Sequence, residues 1–170
     1  MKNHRTPTIL GSHIGQTPKA IRGLEEELFK EPLRAVIVKL TYRRRLARTW
    51  QLIEAEFDSP ALTLERAGRE SGLNKNHLNV LFRQTTSFTF HQFLVRYRLL
   101  RAITIMPRKN YSLLEIALQV GFGSLTTFER NFRKLIGISP KELSESGFMT
   151  NKTGFLTRRY SCAVILFTVE

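Results

Sequence analysis

Between Thr41 and Ser146, apolar residues recur at three- and four-residue steps, the period of helices with one buried face. Leu46, Trp50, Ile53 and Phe57 put such a face on a helix over 42–57. Asp58-Ser59-Pro60 ends it, because proline cannot extend a helix and disfavours helical geometry at the residue before it. Phe93, Leu94, Tyr97, Leu100 and Ile103 predict a long helix over 90–106, closed by Pro107. Upstream, the amphipathic stretch Ile21 to Val38 is broken at Pro32, which leaves either short helical pieces or a helix followed by a strand over Ala35–Leu40. Beyond Gly147 a loop precedes an apolar run that predicts a strand over 160–169. The expected fold is all-α over 41–146, with less regular extensions at 1–40 and 147–170.

The helical region contains an internal repeat. Leu62–Leu73 aligns with Tyr111–Phe122, and Phe82-Arg83 aligns with Phe132-Arg133 one residue out of step, the extra residue falling in the turn. Each copy has the order expected of a helix-turn-helix. Thr63 and Ser112 cap a first helix, and Glu115, three residues after Ser112, completes a capping box where the first copy has Arg66. Gly68 and Ala117 supply a small side chain where two helices meet, and Gly72 and Gly121 supply a turn in which positive φ costs little. Asn74 and Ser124 then cap a second helix in each copy, with Leu78, Leu81 and Phe82, or Phe128, Phe132 and Leu135, on its buried edge. The two motifs span 62–84 and 112–135, with the 90–106 helix as connector. A connector of that length is a rod of roughly 25 Å, close to the ~34 Å between successive major-groove segments on one face of a duplex.

Charge turns this architecture toward a polyanion. Lys and Arg number 27 against 14 acidic residues, a formal net charge of +13. Within 41–146 the basic residues number 17 and the acidic ones 9. Such a surplus points to nucleic acid. The single cysteine, Cys162, and the scattered His4, His13, His77 and His91 give no zinc-binding spacing, and no cofactor is expected. No apolar run approaches the roughly 20 residues that span a bilayer, and none follows the N-terminus as a signal peptide would, so a soluble cytoplasmic protein is expected, with no membrane partner.

On the second helix of each motif, the face opposite the apolar edge carries short amides, hydroxyls and arginine instead of the Glu-Lys alternation of a solvated surface. Asn76 and Asn79 are positioned for bidentate bonds to adenine, Arg130 for guanine, Val80 and Leu125 for a thymine methyl, Thr126 for either kind of base edge, and Glu129 for cytosine N4. For Glu129 an i,i+4 ion pair with Arg133 is an equal alternative. Asn74, Lys75, Arg83, Ser124, Arg133 and Lys134 are assigned to phosphates. Arg98, on the connector, reads as a structural guanidinium, and Arg43-Arg44-Arg45 as a solvated helix start, with contact to the DNA backbone as the minority alternative.

These residues resemble the AraC/XylS family of bacterial transcription regulators over about 43–144. The second copy carries Ile116-Ala117-x-x-Val120-Gly121-Phe122, then Phe128-x-x-x-Phe132 and Gly137-Ile138-Ser139-Pro140. The first carries Leu73-Asn74-x-x-His77-Leu78-x-x-x-Phe82, and the connector Arg98-Leu99-x-Arg101-Ala102. The resemblance implies two helix-turn-helix subdomains on asymmetric double-stranded promoter sites, acting as an activator, often through RNA polymerase. Four departures stand out: Ala67-Gly68 stands for a Leu-Ala pair, Ser71 for a large apolar residue, Ser87 for glycine after the first recognition helix, and Ser144 for a terminal arginine. Each of the first three removes packing or adds strain of up to ~1 kcal/mol, so the N-terminal subdomain is expected to be the less stable. Residues 1–40 are too few for the family's effector-binding barrel, so no small-molecule effector site is expected.

Three other readings compete. The chain is a DNA-binding fragment of a larger regulator or of a mobile-element transposase, although no acidic triad has a scaffold here. A basic adaptor would bind duplexes without sequence preference. A DNA-repair methyltransferase would need several reactive or metal-binding cysteines, and an enzyme is not expected.

Overall fold

The computed structural model describes residues 19–106 and 111–145, and every regular element among them is an α-helix. In chain order these are α1 (Lys19–Phe29), α2 (Leu33–Tyr42), α3 (Arg44–Glu56), α4 (Leu64–Ser71), α5 (Lys75–Thr86), α6 (Phe90–Ile105), α7 (Leu113–Gln119), α8 (Leu125–Ile136) and α9 (Pro140–Glu145). The all-α expectation holds.

The strand reading of Ala35–Leu40 does not hold, because these residues lie inside α2. The β-branched run has high strand propensity, but Pro32 presets the backbone at the helix start, and Val36 and Leu40, four residues apart, share one fully buried face. Nor are the described residues before Thr41, from Lys19 on, an irregular extension. Leu24, Leu28 and Phe29 of α1 join the same core, α1 lies on α6, and α2 lies on α3 and α5. The strand predicted at 160–169 and the loop before it lie outside the described residues.

The first subdomain is built around Phe93 of α6. Its ring meets Phe29 and Phe82 at 5.1 Å each, Trp50 at 6.4 Å and Tyr97 at 6.5 Å. These contacts tie α1, α3 and α5 to the connector, mostly in edge-on geometries that suit the ring quadrupole. Burial pushes the Tyr97 hydroxyl up to about 12, so it stays protonated in this cluster. In the second subdomain Phe128 meets Phe122 at 5.3 Å and Phe132 at 5.5 Å.

A seam joins the two halves. Arg98 Nε donates to the Phe57 carbonyl at 2.6 Å and its Nη2 to the Ser59 carbonyl at 2.9 Å, so the connector holds the loop after α3 by its backbone. The structural reading of Arg98 is correct. Gly121, in the turn of the second motif, sits against the same loop: a Cβ there would lie 2.7 Å from the Asp58 carbonyl oxygen.

Candidate nucleic-acid interface

Each motif is set by its caps. Thr63 Oγ1 accepts from Arg66 N at 3.2 Å at the start of α4. At α7, Ser112 and Glu115 form the reciprocal capping box, which holds the Glu115 carboxyl below the usual carboxylate range. Arg66, where the first copy lacks the acid, bonds Glu56 of α3 at 2.7 Å and Glu70 at 3.4 Å instead. Gly72 (φ 65°) and Gly121 (φ 87°) take the left-handed turn conformation, and Gly68 faces the Leu73 carbonyl so closely that a Cβ would lie 2.8 Å from it.

Asn74 Oδ1 accepts from Asn76 N at 2.9 Å and Ser124 Oγ from Thr127 N at 3.2 Å, so both expected phosphate residues act first as helix caps. Beyond these caps, α5 exposes Lys75, Asn76, Val80 and Arg83, and α8 exposes Thr126, Glu129, Arg130, Arg133 and Lys134. Val80 is 54% exposed, so its methyl groups are open to a partner. Lys75 Nζ lies 3.1 Å from Glu65 Oε1 in an exposed pair, so a phosphate has a weak competitor to displace. No ion pair joins Glu129 to Arg133 among the described residues, which leaves the Glu129 carboxylate facing outward.

Two expected base-reading residues stand apart. Asn79 is half-buried and its Oδ1 accepts from Phe90 N at 3.1 Å, tying α5 to the first turn of the connector. That bond engages one lone pair of the oxygen a bidentate bond to adenine would use and gives Asn79 a structural role beside the expected one. Leu125 is half-buried against the core, which leaves only part of its side chain on the outer face.

The departures at Ser71 and Ser87 have structural counterparts. Ser71 is buried, and its hydroxyl meets the buried Thr49 hydroxyl of α3 at 2.6 Å, so a polar pair replaces apolar packing. Ser87 adopts φ 65° at the end of α5, where the equivalent position after α8 is Gly137 at φ 85°.

Two helix-turn-helix units on one connector, each presenting a capped helix with an exposed polar and cationic edge, define a nucleic-acid-binding module. A family model described as "Helix-turn-helix domain" matches residues 67–146. The protein named "Probable transcription factor PqrA", from Proteus vulgaris, is 31% identical over 96 residues, which are 56% of this chain and 79% of that protein. The uncharacterized transcriptional regulatory protein YesN of Bacillus subtilis is 34% identical over 100 residues, 57% of this chain but only 27% of its own length. The fold matches that of the DNA-binding domain of AdpA, solved in complex with a target DNA, with a TM-score of 0.58 and 21% identity over 64% of this chain and 96% of that domain. The chain belongs to the AraC/XylS family of transcription regulators. No described helix is long and apolar enough to cross a membrane.

Proposed function

We propose that the chain regulates transcription by setting α5 and α8 into successive major-groove segments of a promoter, reading bases with Asn76, Val80, Thr126, Glu129 and Arg130 while Lys75, Arg83, Arg133 and Lys134 hold phosphates. The observation that carries this reading is the matched pair of motifs: the polar edges of α5 and α8 both face outward, and the Arg98 clamp and the Gly121 contact hold both motifs on one frame. The AdpA domain, alike in fold, was solved on its target DNA. Asn74 and Ser124 contribute phosphate contacts through the helix starts they cap, where backbone N–H groups and the helix dipole favour an anion. Leu125 contributes an apolar edge to the second groove contact. The regulator acts as an activator in contact with RNA polymerase.

Selection of duplexes from a random pool by the full chain, followed by footprinting of the enriched sequence, tests the reading. It requires an enriched site protected over two segments about one helical turn apart. Recovery of the pool without enrichment overturns it.

A further inference from the structure

The arginine run at the start of α3 reads from sequence as a solvated helix start or, as the minority alternative, a DNA-backbone contact, and its placement in the fold favours the alternative for Arg45 and extends it to Arg48. Arg45, Thr49, Leu52 and Glu56 form one stripe along α3 at four- and three-residue steps. Thr49 on this stripe bonds Ser71 at the end of α4, and Glu56 bonds Arg66 near its beginning, so α4 runs antiparallel along the stripe. One turn beyond Thr49 the stripe reaches Arg45, which therefore lies past the end of α4, on the side where the chain turns into α5. Arg48, three residues on, occupies the adjoining outer flank. Both arginines are exposed and neither forms an ion pair among the described residues.

Two further features favour a polyanion at this spot. The sequences of α2 and α5 and the first half of α3 hold no carboxylate, and Glu65 of α4, which meets the α5 start, is already paired with Lys75. The first turn of α3 has no acidic residue and carries Arg44 and Arg45 at the positive end of its own helix dipole, an arrangement that folding alone disfavours.

We infer that Arg45 and Arg48 form an additional phosphate-binding patch, gripping the duplex backbone beside the groove segment entered by α5. This rests on the proposed two-helix reading of DNA. The patch supplies affinity and no sequence information, because phosphates are the same at every base pair.

The test compares the full chain with the Arg45→Gln/Arg48→Gln and Arg45→Lys/Arg48→Lys variants, on the selected duplex and on a random one, across salt concentrations. Each lost phosphate contact lowers the log–log salt slope by ~0.9, so the Gln variant loses ~1.8. Its affinity then falls ~12-fold less than wild type between 50 and 200 mM salt. Its base preference and melting temperature are unchanged or slightly raised, and the Lys variant keeps the wild-type slope. Phosphate-ethylation interference next to the α5 half-site disappears in the Gln variant. An unchanged slope and interference pattern overturns the patch and leaves the two-helix reading standing, and so does unchanged duplex binding with lost promoter activation, which would assign the arginines to an acidic protein surface. If wild type shows no preference for the selected duplex, the two-helix reading falls and the patch with it.

Discussion

Gly121→Ala tests the seam between the two halves. The residue adopts φ 87°, where an L side chain costs about 1 kcal/mol, and its new Cβ would lie 2.7 Å from the Asp58 carbonyl oxygen and 2.8 Å from the carbonyl carbon. Both obstacles are backbone atoms. The loop cannot yield freely, because Arg98 holds the carbonyls on either side, at Phe57 and Ser59. Overpacking against a fixed partner adds about 1–3 kcal/mol, for a total of about 2–4 kcal/mol. Gly72→Ala supplies the control: its φ is 65°, but nothing lies within 4 Å of the new Cβ, so only the conformational cost of about 1 kcal/mol applies. Urea unfolding of the two variants, analysed with a common m-value, measures the difference. Equal losses for both would show that the turn of the second motif does not press on the Asp58 loop, and the rigid seam would have to be given up.

Ser87→Gly should stabilise the chain by about 0.5–1 kcal/mol in the same assay, because a left-handed position stops carrying a Cβ. Ser71→Ala should cost about 1–2 kcal/mol by leaving the buried Thr49 hydroxyl with only a 3.5 Å contact to the Arg45 carbonyl, and the Ser71→Ala/Thr49→Val double variant should lose less than the sum of the single changes. The Glu115 carboxyl is held below its ordinary value of 4.5 by the Ser112 backbone N–H and hydroxyl, so its contribution is complete above that value and is lost as pH falls through the depressed folded one. Acid titration of stability should lose that component in Glu115→Gln, and a superimposable profile would refute it. On DNA, Arg130→Ala should relax preference at one base pair by about 1–3 kcal/mol while Lys75→Ala weakens selected and random duplexes alike, as competition binding would measure.

The motifs were legible because their markers are local: a capping side chain, a small residue at the helix crossing and a glycine at the turn sit at set spacings, and all three recur in both copies. Arg98 was legible as structural because a guanidinium amid the apolar positions of the connector needs fixed acceptors. The structural bond of Asn79 was not legible because helical periodicity places a residue on a face without showing which distant donor needs it, and Phe90 N, eleven residues on, is such a donor. Ala35–Leu40 was misread as a strand in one of the two readings because propensity favours strands for β-branched runs, while burial of Val36 and Leu40 against α3 and α5 is decided by the tertiary fold. The buried Thr49–Ser71 pair was invisible for the same reason. Ser71 alone signalled lost packing, and its partner lies 22 residues away on another helix.

The most direct measurement of how the molecule meets DNA is site-directed cleavage. Cys162 is the only cysteine, so a Cys162→Ser background allows an iron chelate to be attached singly at His77→Cys on α5 or Glu129→Cys on α8, both exposed positions. The account predicts two localised cleavage patterns on the selected duplex, centred about 10 base pairs apart and on the same face. Coincident patterns, patterns on opposite faces, or uniform cleavage along the duplex from either position would contradict it.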